Sequence, residues 1–362
     1  MKHLLATAAL IAICGATGAI AQPTGSAAAG AAVSVEKSAK VAPGGLYEIV
    51  FNPADKRVYV AATGQRGSNA PQVVALDATT LAPVRTIDVA PDGVFGLGID
   101  TRAQLLYGTA TRTGAVVMID LKSGKTTALK PEGSEGAHLR EVVIDEATGK
   151  AYASVMVGSE RGDGPVQPQQ IWVIDGKAGK FERVISVDTN RLTGLTVGDG
   201  KLFATGMGSN EVVVIDAATG NLVSRWPSGG EAPINIAYDR AGKRLFVANQ
   251  KSGDLTVLDS TTGAVKAKVP TGEGALSVAY NPAKQQAYVA NRQAGTVSVI
   301  DATTYQSIAN LPTGTFPQTL AVDAAGNRVF VSNKARGLPR NAPAGTAPVD
   351  DANGDTVTTI RL

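Results

Sequence analysis

The stretch YVANRQAGTVSVIDATT at 288–304 has two near copies upstream, FVANQKSGDLTVLDSTT at 246–262 and FATGMGSNEVVVIDAAT at 203–219. A unit repeated at a fixed period cannot bury its apolar face alone and must stack on its own copies, so the repeat decides the architecture before any single residue does. Aligned on an apolar–Asp pair, the copies place acids at Asp77, Asp120, Asp175, Asp216, Asp259 and Asp301, and a seventh copy has Arg361 in the acid's place. The acids step by 41 to 43 residues, apart from 55 between Asp120 and Asp175. Each copy contains four short apolar runs split by turn residues; in the sixth they are LSVAYN, AYVAN, TVSVID and YQSIANL. Runs this rich in Val, Ile and Tyr read as strands, and four strands in about 42 residues make the blade of a β-propeller. Many runs are almost wholly apolar, as a sheet covered on both faces requires.

The last copy offers TLAVD, RVFVSN and DTVTTIRL and stops one strand short, while KSAKVAPGG at 37–45 has no copy of its own and matches the fourth strand of the fifth repeat. The expected fold is all-β: a single seven-bladed β-propeller over residues 33–362, four antiparallel strands per blade. The N-terminal strand completes the last blade, which leaves no open sheet edge at the join.

Residues 1–21 have the form of a secretory signal peptide: a basic MKH start, the apolar run LLATAALIAI and the small-x-small pattern Ala19-Ile20-Ala21. Cleavage is expected after Ala21, which would make the protein periplasmic, with no transmembrane anchor, and leave 22–32 as a flexible leader. Cys14 is the only cysteine. The Ile13 before it does not suit lipidation, and the chain beyond must hold together by packing rather than disulfides. With 34 basic and 31 acidic residues, the net charge excludes a histone-like polycation but allows a local basic patch. A monomer is expected.

YVAN followed by VSVID is similar to the repeat of the YVTN-repeat β-propeller family. The likeness extends through YEIVFNPADKRVYVA, LREVVIDEATGKAYA, IWVIDG, INIAYD and PQTLAVDAAGNRVFVSN, and it resembles most the YncE-type exported seven-bladed members. It implies the fold, and with it an affinity for DNA, preferably single-stranded. The repeat is specific for fold and weak for function, because propellers host many activities.

Six aligned acids could suggest metal binding, but turn residues follow almost all of them, as in DATT, DLKSG and DAATG, and an Asp there bonds the backbone of its own hairpin. Beyond the signal peptide the only histidine is His138. A Ser-His-Asp triad would have to use it, and no Gly-x-Ser-x-Gly elbow accompanies it. No catalytic residue, cofactor or metal is assigned. DDANGD at 350–355 has a faint calcium-loop look without the terminal Glu and reads as a solvated loop.

The first strand of each blade should line the channel. Aligned on their last residues, these strands bring Glu48, Gly96, Glu141, Gly194, Asn235, Ser277 and Thr319 to one level. The preceding residues, among them Tyr47, Phe95, Arg140 and Gln318, come to the channel mouth beside them. Glu48, Arg140, Glu141, Asn235 and Gln318 are the candidate ligand-binding residues there; an ion-pair network pinning blades together is the bland alternative. The loops between second and third strands open on the same face, and loops of this kind are where binding usually resides. Basic residues recur there: Arg66, Arg112, Arg161 and Lys251, then Arg292, Lys334, Arg336 and Arg340. With Tyr47, Phe95 and Phe316 as stacking platforms, they are the candidate nucleic-acid contacts.

Two readings follow: a non-enzymatic binding protein for single-stranded DNA or another anionic ligand, or a propeller that binds an envelope protein partner through the same face. A hydrolase or lyase at the channel mouth is the third, with only Glu48, Arg140, Glu141 and His138 to support it.

Overall fold

The computed structural model describes Met1 and residues 33–64, 70–134, 136–158, 168–338, 346 and 349–362. The signal peptide, its cleavage site and the leader lie outside the described residues, as do Arg66, Arg161 and Arg340.

The apolar runs become strands because each finds cover on both faces. Second and third strands are buried along nearly their whole length, as in Arg244–Asn249 and Asp254–Asp259. Outer strands alternate between exposed and covered positions, as in Lys180–Val187. The result is seven antiparallel sheets of four strands. Their inner strands are Leu46–Asn52, Gly96–Asp100, His138–Asp145, Leu192–Gly198, Pro233–Asp239, Ala275–Asn281 and Pro317–Asp323 for blades 1 to 7. Each inner strand packs on the next and the seventh on the first, so the ring closes over residues Val33–Leu362. The apolar clusters lie between blades: Tyr59 and Val73 of blade 1, for example, share a cluster with Leu106 and Val117 of blade 2.

Ser34–Lys40 pairs antiparallel with Thr356–Arg361 and is the outer strand of blade 7, as the orphan N-terminal run requires. Arg361, which stands where the other copies have Asp, meets Glu36 at 2.8 Å, and Arg328 meets the same carboxylate at 3.1 Å. The six aligned acids are turn residues. Asp77, Asp120, Asp216, Asp259 and Asp301 each accept two backbone N–H bonds from their own hairpin, and Asp175 accepts one from Ala178 at 2.9 Å.

The reading of DDANGD as a solvated loop holds for the exposed Asp350 and is wrong for Asp351 and Asp355. Oδ1 of Asp355 accepts the N–H groups of Gly45 (2.9 Å), Leu46 (3.3 Å) and Ala335 (3.1 Å), fastening blade 7 to the start of blade 1. Asp351 accepts from the Thr315 hydroxyl at 2.8 Å and the Arg336 N–H at 3.0 Å, and Lys40 donates to the Gly354 carbonyl at 2.8 Å. Backbone and hydroxyl groups are the partners of Asp351 and Asp355.

Asp355→Ala would orphan three backbone donors at the ring closure. Hydrogen bonds to a charged acceptor contribute roughly 1.5–3 kcal/mol each, so urea unfolding should show a loss of about 2–4 kcal/mol. Asp355→Asn, which keeps an acceptor oxygen, should lose less. Equal stability of Asp355→Ala and the parent would refute the role.

Candidate functional site

The ring is where the inner strands depart from regular pairing. In six blades the register of inner against second strand slips at the channel mouth: across Tyr47–Glu48, Arg140–Glu141, Thr193–Gly194, Ile234, Leu276 and Gln318–Thr319. Such bulges free residues from the ladder and re-aim their side chains. Their backbone groups need new partners, and second-strand hydroxyls supply them. Ser154 accepts the Glu141 N–H at 3.1 Å and donates to the Thr193 carbonyl of the next blade at 2.6 Å. Thr109 does the same for Gly96 and Arg140, at 2.8 and 2.9 Å, and Ser332 for Thr319 and Tyr47. Gly96 is glycine because a Cβ there would lie 2.4 Å from the Arg140 carbonyl oxygen.

These residues surround a cavity of about 360 Å³ to which every blade contributes. All five ligand-binding candidates, Glu48, Arg140, Glu141, Asn235 and Gln318, line it, with Tyr47 and Phe95 at one wall and His138 close by. Asn235 reaches across from blade 5: its Nδ2 donates to Glu141 Oε2 at 3.0 Å while its Oδ1 accepts the Val278 N–H of blade 6 at 2.9 Å. Gln318 donates to the Phe316 carbonyl at 2.9 Å. Enclosure pushes the Glu141 carboxyl up to about 7, against the opposing pull of Asn235 and Arg140. It raises Glu48 well above the carboxylate range, and the charge of Glu141 raises it further. At neutral pH the two carboxyls behave as one titrating pair. Among the described residues no group of three or more His, Cys, Asp or Glu side chains could hold a metal ion.

The loop face carries the second assembly. The Tyr47 and Phe95 rings meet edge to face at 4.7 Å. Lys334 lies 3.6 Å from the centre of the Tyr47 ring and bonds its hydroxyl. Arg112 stands 5.5 Å from the Phe95 centroid. Arg292 and Arg336 stand 4.4 and 5.7 Å from that of Phe316. Arg292, Arg336 and Phe316 also line a polar cavity of about 380 Å³ beside Thr315 and Asn353. None of these four cations has a carboxylate within 4.0 Å among the described residues. Burial depresses the Arg292 guanidinium and the nearby Tyr47 counters it. Lys251 is different: it is exposed and pairs with Glu231 at 2.7 Å.

Phe316 has φ of 44°, in the left-handed region that bulky residues avoid. The equivalent residue before the inner strand is Gly45 in blade 1, Arg191 in blade 4, Ala232 in blade 5 and Gly274 in blade 6, each with positive φ and the same outgoing hydrogen bond from carbonyl to turn N–H. The sequence offered no signal for this strain, nor for the bulges.

No family model matches the chain. It is 32% identical over 244 residues to the uncharacterized protein YncE of Escherichia coli strain K12, an alignment covering 63% of this chain and 66% of that protein. It is 31% identical over 242 residues to the uncharacterized YncE of Salmonella typhimurium, covering 62% and 65%. The matched region thus falls just short of two thirds of these relatives' length.

A carboxyl whose folded value is raised stabilises the fold in its protonated form and loses that contribution as pH rises from about 4.5 toward about 7. Glu141→Gln cannot ionise. Relative to the parent it should gain about 2 kcal/mol between pH 5 and 8, a figure discounted for the water in the channel. Urea unfolding at both pH values measures this; a difference independent of pH would contradict the raised value.

Proposed function

Taking this chain as a YncE-like seven-bladed β-propeller, we propose that it is a binding protein whose loop face takes single-stranded nucleic acid across the rings of Tyr47, Phe95 and Phe316. One observation carries the reading: four cations stand on three aromatic rings rather than on carboxylates. Sequence-tolerant binding of single strands needs this combination, cations to follow phosphates and flat side chains to stack on bases. A cation on a ring is held in place while its charge stays available to a phosphate, whereas an ion pair such as Lys251–Glu231 is already neutralised. Phe316 supports the same reading. A non-glycine residue held in the left-handed region costs of order 1–3 kcal/mol; blades 4 and 5 bear it with Arg191 and Ala232, and blade 7 alone of these turns places an aromatic ring there beneath two cations. The near balance of basic and acidic residues points to modest affinity. Export through the N-terminal segment remains part of this proposal, and the exported compartment would define which strands it meets.

The test is fluorescence anisotropy of a labelled single-stranded oligonucleotide at several salt concentrations. Micromolar binding should weaken steeply with salt, since each phosphate contact releases counterions, and Arg292→Ala with Arg336→Ala should flatten the slope by about 2. Phe316→Gly should keep its stability and lose affinity. No binding at low salt would overturn the reading and turn attention to a protein partner for the same face.

A further inference from the structure

The loop-face patch and the channel cavity are continuous, because Tyr47 and Phe95 belong to both. A strand lying across the patch therefore passes directly over the channel cavity of about 360 Å³, within the usual range of small-molecule pockets. The cavity has apolar walls in Ile234 and Leu276 and, facing them, the carboxyls of Glu48 and Glu141. One of those carboxyls keeps an oxygen open. Glu141 has Asn235 on Oε2 and no hydrogen bond on Oε1 among the described residues. Glu48 has the Thr319 hydroxyl and the Ile49 N–H beside its carboxyl. A planar ring with a hydrogen-bonding edge fits this arrangement.

We propose that the channel mouth is a single-base pocket: one unpaired nucleobase leaves the strand on the loop face, enters the cavity, and pairs its edge with Glu48 and Glu141. The inference rests on the strand-binding reading above. Reading an extruded base by its pairing edge between apolar or aromatic walls is a general solution to single-base recognition. The carboxyl chemistry decides which base. An ionised carboxylate accepts two adjacent N–H groups, which guanine offers at N1 and N2. A protonated carboxyl donates once and accepts once, which suits the N3 and N4 edge of cytosine or the N1 and N6 edge of adenine. Asn235 holds the Glu141 carboxyl in place from across the channel. The titratable and charged groups facing the pair are His138 and Arg140 from blade 3 and Tyr47 from blade 1; blades 2, 4, 5, 6 and 7 present none in the lining. Lys334 and Arg292 stand at the rim around Tyr47.

The test is isothermal titration of the wild-type protein with the four nucleoside 5′-monophosphates at about pH 8 and about pH 5.5, either side of the Glu141 titration. GMP should bind about tenfold more tightly than UMP at the higher pH, the effect of one good bidentate pair. CMP and AMP should overtake GMP at the lower pH. Glu141→Gln should abolish the reversal, which separates the carboxyl pair from His138. Equal binding of all four nucleotides at both pH values, or a reversal that survives in Glu141→Gln, would overturn the pocket. If labelled oligonucleotides bind with a salt slope while the nucleotides show no preference, the pocket falls and the strand reading stands. If the nucleotides show the preference while no oligonucleotide binds, the strand reading falls and the cavity is a nucleotide site. If neither binds, both fall.

Discussion

Seven strands converge on one axis, and in six of the blades the backbone gives way where they meet through a register slip at the channel mouth. The bulged pairs, Tyr47–Glu48, Arg140–Glu141 and Gln318–Thr319 among them, leave ladder positions unpaired. An orphaned buried N–H or carbonyl costs about as much as a lost hydrogen bond, so the slip survives only with replacement partners. A hydroxyl at the fifth position of the second strand, in Thr109, Ser154 and Ser332, takes the N–H of its own blade and gives its proton to the carbonyl of the next. One side chain thus joins two blades, and in blades 3 and 7 it also repairs the bulge of its own strand pair. The ring side chains face the channel because the backbone beneath them is fixed in this way, and the cavity inherits its shape from the bulges.

How much of this the sequence discloses follows from what each feature depends on. Blade number, strand order and closure by Ser34–Lys40 depend on periodicity and on a missing strand at the C-terminus, both visible along the chain. The ring of Glu48, Glu141 and Asn235 was legible because every inner strand ends on a residue that can be aligned. The bulges were not, because they are properties of pairing between strands. Asp351 and Asp355 misled, since a carboxylate beside Asn and Gly looks solvated whether it faces water or, like Asp355, three backbone donors.

The basic residues show the same limit at higher resolution. Arg292 and Lys334 occupy one turn position, the first after the second strand of their blades, where blade 5 has Gln250. Arg112 and Lys251 share the next position, yet Arg112 stands on Phe95 and Lys251 on Glu231. Sequence alone counts these as equivalent cations. What separates them is the residue that the neighbouring connection brings alongside, an aromatic in blades 1, 2 and 7 and an acid in blade 5.

That contrast also explains where the protein spends stability. At the left-handed residue before the inner strand blades 1 and 6 have glycine, while blades 4 and 5 have Arg191 and Ala232. Blade 7 has Phe316 there instead, at φ of 44°. The strain is not relieved by deep burial, since the ring stays half-exposed beneath Arg292 and Arg336. What sets Phe316 apart from Arg191 and Ala232 is not the backbone conformation but the accessible ring held under two cations. The copies therefore agree where blades must pack, and they diverge at Phe316, Arg292 and the Glu48–Glu141 pair, at the loop face and channel mouth where the proposed binding is placed.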